Sequence, residues 1–544
     1  MSMIQGGKKP AAPCRAACPA GIDVPRYIRA IRDGNFEAAL TVIRERIPFP
    51  LACGYACVHP CETKCSRVQY DEPVAIRMLK KVAAERGSSK PPVIKKLEST
   101  GKKVAVVGSG PCGLTAAHYL NVMGHGVALF ESRPLLGGML RYGIPEYRLP
   151  KSAVDEEIGV IRDAGVEMVV NRPVSSAAAL LADGFDAVLA ASGAWKPLKM
   201  GIPGEDSASV MDGISFLEKI NSGRQVDVGK TVIVVGGGNT AMDAARTARR
   251  LGADVTLLYR RTRAEMPAGS EEITEALEEG VRMDFLAAPV RIVRKEKNAP
   301  GTASREAICV RMMLEKPDES GRPRPVPVSE SEYPLAFDTL IMALGQAAEA
   351  ESIGLAGRPN GTILAENDGV STSIRGVFAA GDAATGPSSI ISAIAAGRCA
   401  AEAIDRFLGG KGVIPEFFPA DDAPVPGEPL PPGERRPPAA SIALKKRLST
   451  FSPVEKSYSR NAAVQEATRC FSCDLRNFDV VIDPQICKGC GYCMEACTLG
   501  VFEPSDAFNT SGYKPFAAVN AGSCVGCLRC LYACPDFAIT VNEK

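Results

Sequence analysis

An α/β fold set between two cysteine-rich ends is predicted by three observations. From about residue 100 the chain alternates short apolar runs with helical ones, the pattern of strands that cross over through helices into a parallel sheet. Two stretches, "KKVAVVGSGPCGLTAAHYLNVMGHGVALFES" and "KTVIVVGGGNTAMDAARTARRLGADVTLLYRR", share one strand–glycine turn–helix–strand plan and lie 128 residues apart. Sixteen of the nineteen cysteines fall within the first 65 residues or the last 75. The predicted class is α/β: a helical cysteine-rich N-terminal domain, two Rossmann-like dinucleotide-binding domains and a small α+β C-terminal domain.

At 544 residues the chain is too long for one core, and roughly three or four domains are expected. A net charge of +2 with 23% charged residues gives no electrostatic case for nucleic acid or an anionic membrane surface. No uncharged apolar run reaches the ~20 residues of a membrane span. The opening "MSMIQGGKKPAAPCRAACPA" lacks the apolar h-region of a secretory signal, so a cytoplasmic location is expected. A disulfide framework is out of place there, and clustered cysteines point to metal.

The head reads as helical in stretches such as "VPRYIRAIRDGNFEAALTVIRE". At the tail, "CKGCGYCMEAC" (Cys487, Cys490, Cys493, Cys497) and "CVGCLRCLYACP" (Cys524, Cys527, Cys530, Cys534) both carry the C-x2-C-x2-C-x3-C spacing. Three closely spaced cysteines wrap one 4Fe–4S cluster while the fourth ligates the other. One centre is thereby assigned to Cys487, Cys490, Cys493 and Cys534, and a second to Cys497, Cys524, Cys527 and Cys530. Zinc favours paired C-x2-C spacings and fits this run poorly. The run resembles the bacterial two-cluster ferredoxins. Thr498 replaces the proline that usually follows the fourth cysteine, and Pro535 keeps it in the second copy.

"GSGPCG" places Gly108, Gly110 and Gly113 in G-x-G-x-x-G order after an apolar strand and at the start of a helix. Glu131 stands 23 residues past Gly108, at the end of the next strand, where a carboxylate can accept from a ribose hydroxyl while the helix N-terminus holds a pyrophosphate. The second unit has Gly236, Gly238 and Ala241, with Asn239 and Thr240 opening its helix. The same count of 23 from Gly236 lands on Tyr259, followed by Arg260 and Arg261. An acid there would repel a 2′-phosphate and two guanidiniums can bind one, which favours NADP(H) over NAD(H).

Far downstream, "GVFAAGD" spans residues 376–382. Two dinucleotide units followed by this phrase resemble the two-dinucleotide flavoprotein plan, in which the second unit is inserted within the first and the final aspartate contacts the flavin ribityl chain. Gly381 and Asp382 match that position. "GGMLRYGIPEYRLPK" (137–151), "ASGAWKPLKMGIPGED" (191–206) and "YRRTRAEMPA" (259–268) carry a narrower resemblance. They resemble the small, β subunit of NADPH-dependent glutamate synthase and the related amino-terminal half of dihydropyrimidine dehydrogenase, over residues 10–410. The resemblance implies FAD near Gly137, Gly138 and Arg141, and a nicotinamide nucleotide on the second unit. The expected domains are then 1–99, a helical 4Fe–4S domain; 100–225 and 345–410, the two parts of the FAD domain; 226–344, the NAD(P)H domain; 411–460, a linker with nine prolines between 415 and 438; 461–480, a return segment; and 481–544, the ferredoxin domain.

The return segment follows from an orphan pair. "EATRCFSC" offers only Cys470 and Cys473. In the family this phrase runs on into a C-x-x-x-C-P motif; here that continuation, "PCRAACPAGIDVP", is at the opposite end of the chain. The resemblance therefore implies that the ends meet. Cys470 and Cys473 join Cys14, and Cys18 joins Cys57, Cys61 and Cys65 of "CGYACVHPCETKC". A glutamine completes the first set in dihydropyrimidine dehydrogenase; the comparable place here is near Lys80, whose ammonium cannot ligate, and Cys53 is the spare candidate. The count is then four 4Fe–4S clusters on sixteen cysteines. Cys112, Cys309 and Cys399 remain and are expected to be buried structural thiols. None of the three histidines, His59, His118 and His125, is assigned as a ligand.

These parts make an electron path: NAD(P)H delivers a pair, clusters accept one electron at a time, and FAD converts between the two. No acid–base residue is required, so none is nominated as catalytic. The expected function is an NAD(P)H-dependent flavin/iron–sulfur oxidoreductase subunit. It exchanges electrons with a ferredoxin or with catalytic oxidoreductase subunits, for example of the 2-oxoacid oxidoreductase type, in a hetero-oligomer. Two alternatives stand beside it: a true glutamate synthase small subunit, against which the C-terminal ferredoxin domain counts, and a non-catalytic cluster scaffold.

Overall fold

The computed structural model describes residues 12–87, 95–294, 305–317, 321–415, 435–475, 478–497, 499–524 and 526–543. Two compact units divide the chain, one from Met1–Lys90, Glu416–Ala439 and Ser457–Lys544, the other from Pro91–Pro415 and Ala440–Lys456. Head and tail thus belong to one unit and the α/β middle to the other. Thr498 and most of the proline stretch (416–434) lie outside the described residues.

In the middle unit two five-stranded parallel sheets follow the same plan. The first runs Val377–Ala379, Ala187–Ala190, Lys103–Val107, Gly126–Phe130 and Glu167–Val169. The second runs Val210–Asp212, Thr339–Met342, Thr231–Val235, Asp254–Tyr259 and Arg282–Phe285. The last strand of the first sheet comes from residues 377–379, so the second domain is nested inside the first. Each central strand is a run of buried Val, Ala or Ile, as a strand covered on both faces must be. Each is followed by a glycine turn and a helix, Pro111–Val122 or Asn239–Arg250. Strand order reverses beside these central strands, which opens a crevice at their carboxyl ends.

Two features of this unit were not foreseen. An antiparallel sheet of Ala287–Arg294, Arg305–Pro317, Pro323–Pro327 and Tyr333–Phe337 is inserted in the second domain. Its strands are half-exposed and proline-bearing, so they carry no strong apolar signal. The expected linker 411–460 is also not extended throughout. Ala440–Lys456 packs onto this unit: Val454 donates to the Tyr147 carbonyl at 3.0 Å, Arg447 pairs with Glu278 at 2.8 Å, and the Phe451 ring lies 6.3 Å from that of Tyr147.

In the head, Val24–Arg32 is capped by Asp23 and Phe36–Arg44 by Asn35, each carboxylate or amide accepting from the third residue on. Pro50–Ala56 packs on Ile76–Arg86, and from the tail Arg460–Thr468, capped by Ser459, packs on Val24–Arg32. The end of the tail is two small antiparallel ribbons, Phe478–Ile482 with Ile539–Glu543 and Phe502–Pro504 with Phe516–Ala518, and two short helices, Tyr492–Ala496 and Arg529–Ala533. Among the described residues no helix is long and apolar enough to cross a membrane.

Candidate cofactor sites

At the first glycine turn Gly108 has φ +106 and is pressed against the Ala191 carbonyl, so no side chain fits. A Cβ on Gly110 would meet nothing within 4 Å, which leaves open space over the first turn of the helix for a phosphate. A Cβ on Gly138, at φ +51, would stand 2.7 Å from the Gly110 Cα; the "GG" of 137–138 therefore stacks on the turn backbone to backbone. Glu131 is buried, accepting from the Ser109 hydroxyl at 2.6 Å and the Arg133 amide at 2.9 Å, so its carboxylate is held in place beside the turn. Gly381 (φ +65) and Asp382 open a short helix; burial raises the Asp382 carboxyl and Ser388 donates to it at 2.7 Å. Gly113 backs the turn, where a Cβ would strike the Gly108 carbonyl. Arg141 is buried and donates to the Leu136 carbonyl and to Asp155, so it braces the "GGMLRYG" loop. The cradle fits a dinucleotide.

Sequence reasoning missed the neighbours of this cradle. Arg133 lies 4.0 Å over the Trp195 ring and 5.0 Å over that of Tyr142, and pairs with Glu218. Trp195 is the one tryptophan of the chain.

The second turn is built alike, with Gly236 pressed against the Ala343 carbonyl and Gly237 against the Tyr259 ring. Gly238 is the N-cap of the helix that Asn239 and Thr240 open. The loop after Tyr259 folds back over the turn: Ala268 donates to the Gly237 carbonyl at 3.1 Å and Gly269 to the Asn239 side chain at 3.2 Å. Arg260 and Arg261 differ in their surroundings. Arg261 is buried, with Nε donating to the Pro323 carbonyl at 2.8 Å, because the inserted sheet packs on that side of the strand. Arg260 is exposed, as is Arg263 on the next turn, Arg263–Glu265.

A buried charge network joins "EYRLPK" to the second helix. Arg148 pairs with Asp243 at 2.7 Å and Glu272 at 2.8 Å; Arg246 and Arg250 both reach Glu279, and the Arg250 guanidinium lies 3.8 Å over the Tyr147 ring. Burial raises the Asp243 carboxyl to about 6 and lowers Lys151 to about 8.

In the head–tail unit Cys14, Cys65, Cys470 and Cys473 line one recess with Pro13, Ile28 and Phe471. Cys18, Cys53, Cys57 and Cys61 form a second group around the buried Lys80. The structure therefore exchanges two expected partners: Cys65, not Cys53, joins Cys14, and Cys53 joins Cys18. The chain reverses at His59, φ +37, and the turn Ser66–Gln69 carries Cys65 toward Cys473, whose Sγ lies 3.6 Å from the Ser66 hydroxyl. Cys53 lies on the helix that packs on Ile76–Arg86, from which Lys80 extends. Burial opposes the charge on Lys80, but the thiols of Cys57, Cys53, Cys61 and Cys18 outweigh it and raise its pKa.

The tail is locked to the head by "EATRC". Glu466 is fully buried and accepts from the Ala75 amide at 2.8 Å. Arg469 pairs with Glu466 at 2.8 Å and Asp71 at 2.9 Å and donates to the Glu72 carbonyl at 2.6 Å. Arg29 pairs with Asp474 at 2.8 Å, and Arg67 donates to the Arg469 carbonyl at 3.0 Å. The two cysteines sit between these anchors. Their meeting with Cys14 was implied by the resemblance, whereas the locking role of Glu466 and Arg469 had no signal beyond it.

In the ferredoxin domain Cys487, Cys490, Cys493 and Cys534 line a recess, and Cys497, Cys524, Cys527 and Cys530 lie within electrostatic reach of one another in a second group. Backbone amides donate to Sγ of Cys57, Cys470, Cys487, Cys524 and Cys534 at 3.4–3.5 Å. Burial pushes Cys470 and Cys530 up to about 12 and Cys493 to about 11. Thiols this deep stay protonated unless a metal charge deprotonates them, while the amides are set to solvate the deprotonated sulfur. Among the described residues no three His, Cys, Asp or Glu side chains are drawn closely enough for a single ion; the thiols ring wider recesses. The residues fit cubane clusters.

Of the remaining thiols Cys112 and Cys309 are buried, and burial raises Cys309 to about 12. Cys112 packs against Gly381 and Gly397. Cys399 is exposed on the helix Ile390–Phe407, contrary to expectation, because that helix buries its other faces, packing chiefly on Pro111–Val122, while position 399 faces out.

Three family descriptions match the chain: pyridine nucleotide-disulphide oxidoreductase over residues 102–397, dihydropyrimidine dehydrogenase domain II, 4Fe-4S cluster, over 8–91, and 4Fe-4S dicluster domain over 486–538. The chain is 39% identical to the NADP(+)-dependent formate dehydrogenase subunit beta of Moorella thermoacetica, across 85% of this chain and 70% of that one. It is 37% identical to the NADPH-Fe(3+) oxidoreductase subunit beta of Geobacter sulfurreducens, across 87% and 78%. With the glutamate synthase [NADPH] small chain of Azospirillum brasilense it shares 34% identity across 75% and 89%.

Proposed function

The chain belongs to the pyridine nucleotide-disulphide oxidoreductase family, as an NAD(P)H-dependent FAD oxidoreductase with an N-terminal iron–sulfur domain and a C-terminal 4Fe–4S dicluster domain, and on that premise we propose that it is the electron-splitting subunit of a hetero-oligomer. In this reading it exchanges electrons between NADP(H) and a catalytic oxidoreductase subunit or a ferredoxin. The observation that carries it is the pairing of two glycine cradles in one unit with four groups of four cysteines in the other.

The residues divide the work. Gly108, Gly110, Gly113, Gly137, Gly138 and Glu131 hold FAD, with Gly381 and Asp382 at its ribityl side. Gly236, Gly238, Asn239 and Thr240 hold the nicotinamide nucleotide, and the exposed Arg260, with Arg263, takes the 2′-phosphate. Bound flavin supplies the conversion between a hydride pair and single electrons. Sixteen cysteines hold four clusters, and Lys80 offsets the negative charge of the Cys18 group. The names of the two beta-subunit relatives support a catalytic partner subunit, such as a formate-oxidising one.

Anaerobic purification with its associated proteins tests the reading. It predicts about sixteen irons per chain and a flavin absorbance bleached by NADPH in preference to NADH. About eight irons, or no bleaching by either nucleotide, refutes it.

A further inference from the structure

We infer that the two cluster sites of the ferredoxin domain are used in a set order. The site of Cys497, Cys524, Cys527 and Cys530 is the inner one, facing the head–tail site of Cys14, Cys65, Cys470 and Cys473 across Tyr70, Phe471 and Phe478. The site of Cys487, Cys490, Cys493 and Cys534 is the outer terminus. The inference rests on the electron-transfer reading above and adds the sequence of steps within it.

Phe471 lies between two ligands of the head–tail site and lines its recess. Its ring meets Tyr70 edge-on at 5.3 Å, and the Arg67 guanidinium lies 5.2 Å over it. On its other side Tyr70 lies within electrostatic reach of Cys527, Cys530 and Cys524 of the ferredoxin domain. Covalent reach places the same site close by. Phe478 follows Cys473 by five residues, at most about 18 Å of extended chain. The Phe478 ring occupies the space a Cβ on Gly526 would need, and Gly526 (φ +68) sits between Cys524 and Cys527.

One strand then gives the direction outward. Phe478 begins the strand Phe478–Ile482, and Ile482, at its far end, lines the recess of Cys487, Cys490, Cys493 and Cys534. Four steps of strand are about 13 Å. Phe478 therefore marks the inner site and Ile482 the outer, and Cys490 of the outer site is exposed. Each step moves one electron from a reduced site to an oxidised one. No bond is made or broken and no proton moves; NADPH is the reductant.

The test uses the full chain with each site removed in turn and reads individual clusters by electron paramagnetic resonance after freeze-quench with NADPH or dithionite. With the outer site removed (Cys487→Ala with Cys490→Ala), NADPH is expected to reduce the inner site at the parental rate. With the inner site removed (Cys524→Ala with Cys527→Ala), dithionite should still reduce the outer site, but NADPH should do so slower by roughly two orders of magnitude or more. The reverse pattern, or equal rates, overturns the order. Phe471→Leu keeps every ligand and guards against a misfolded domain. It should slow NADPH reduction of both C-terminal sites with unchanged iron content, and an unchanged rate overturns the role of the aromatic bridge. Failure of NADPH to reduce any site in the parent protein would sink the electron-transfer reading itself.

Discussion

Among the described residues the second dinucleotide domain packs two core clusters, of twenty-one and ten buried residues, in which Cys309 is the one cysteine and belongs to none of the cysteine groups, whereas the ferredoxin-domain core holds ten, of which three are Cys487, Cys493 and Cys530. In the first case the cofactor site is made of backbone, at glycines set on top of a core that is complete without a ligand. In the second, the ligand-binding side chains are part of the core. The head follows the second rule, with Cys53, Cys57 and Cys61 buried among its helices. Removing the cofactor should therefore be an insult to function in one unit and to folding in the other.

Iron removal is the largest test of that contrast. Anaerobic chelation should melt the helices of the head and the ribbons of the ferredoxin domain, seen as lost circular dichroism. Trp195 lies in the other unit, so its emission should stay that of the folded protein and FAD should stay bound. A shift of Trp195 emission in step with iron loss would break the comparison.

The head–tail lock separates ligand from fastening. Arg469→Ala leaves the fully buried Glu466 without the cation that pairs with it, while Asp71 keeps Arg67, and should cost about 3–5 kcal/mol in the unfolding of this unit. Cys470→Ser keeps the lock, so its loss should be confined to one cluster, read as about four irons and one missing paramagnetic signal.

Acid probes the middle unit, where His118 is held neutral. Burial, and then the Arg398 charge, lowers it from the ordinary 6.5 to about 4. The unfolded chain binds the proton more readily, so this contribution is fully present above about pH 6.5 and declines as pH falls toward 4, by about 3 kcal/mol. His118→Gln should flatten that part of the pH dependence, followed by urea unfolding at Trp195. A parental slope in the variant would assign the acid sensitivity elsewhere.

The smallest effect tests Lys80. A buried cation beside Cys18, Cys53, Cys57 and Cys61 favours the more negative, reduced cluster. Lys80→Met should lower that midpoint on the order of 60 mV, a tenfold shift of a one-electron equilibrium, in a redox titration. No shift would mean that the charge does not act on the cluster.

The two units also differ in how legible they were. The glycine turns, the strand-end place of Glu131 and the eight-cysteine run could be read because their geometry is local: a strand, a turn and a helix, or cysteines within eleven residues of one another; the nested plan came only from the resemblance, because the strand that closes it pairs across nearly 190 residues. The burial of Arg261 was not legible because the strand it bonds to belongs to an inserted sheet about sixty residues on, whose half-exposed, proline-bearing strands have no apolar period. The resemblance implied that the ends meet, but spacing could not divide the head cysteines, since Cys53, Cys57, Cys61 and Cys65 recur at an even interval of four.

What the sequence by itself determined is therefore the chemistry, because a glycine turn or a C-x2-C-x2-C run specifies its ligand through residues adjacent in the chain. Only the tertiary structure decided which cysteines lie together, which arginine remains free of the core, and that Glu466 and Arg469 close the circle. Those outcomes depend on chain reversals such as that at His59 and on burial against segments hundreds of residues away, as when Ala75 meets Glu466. Contacts of that kind leave no periodic mark along the chain.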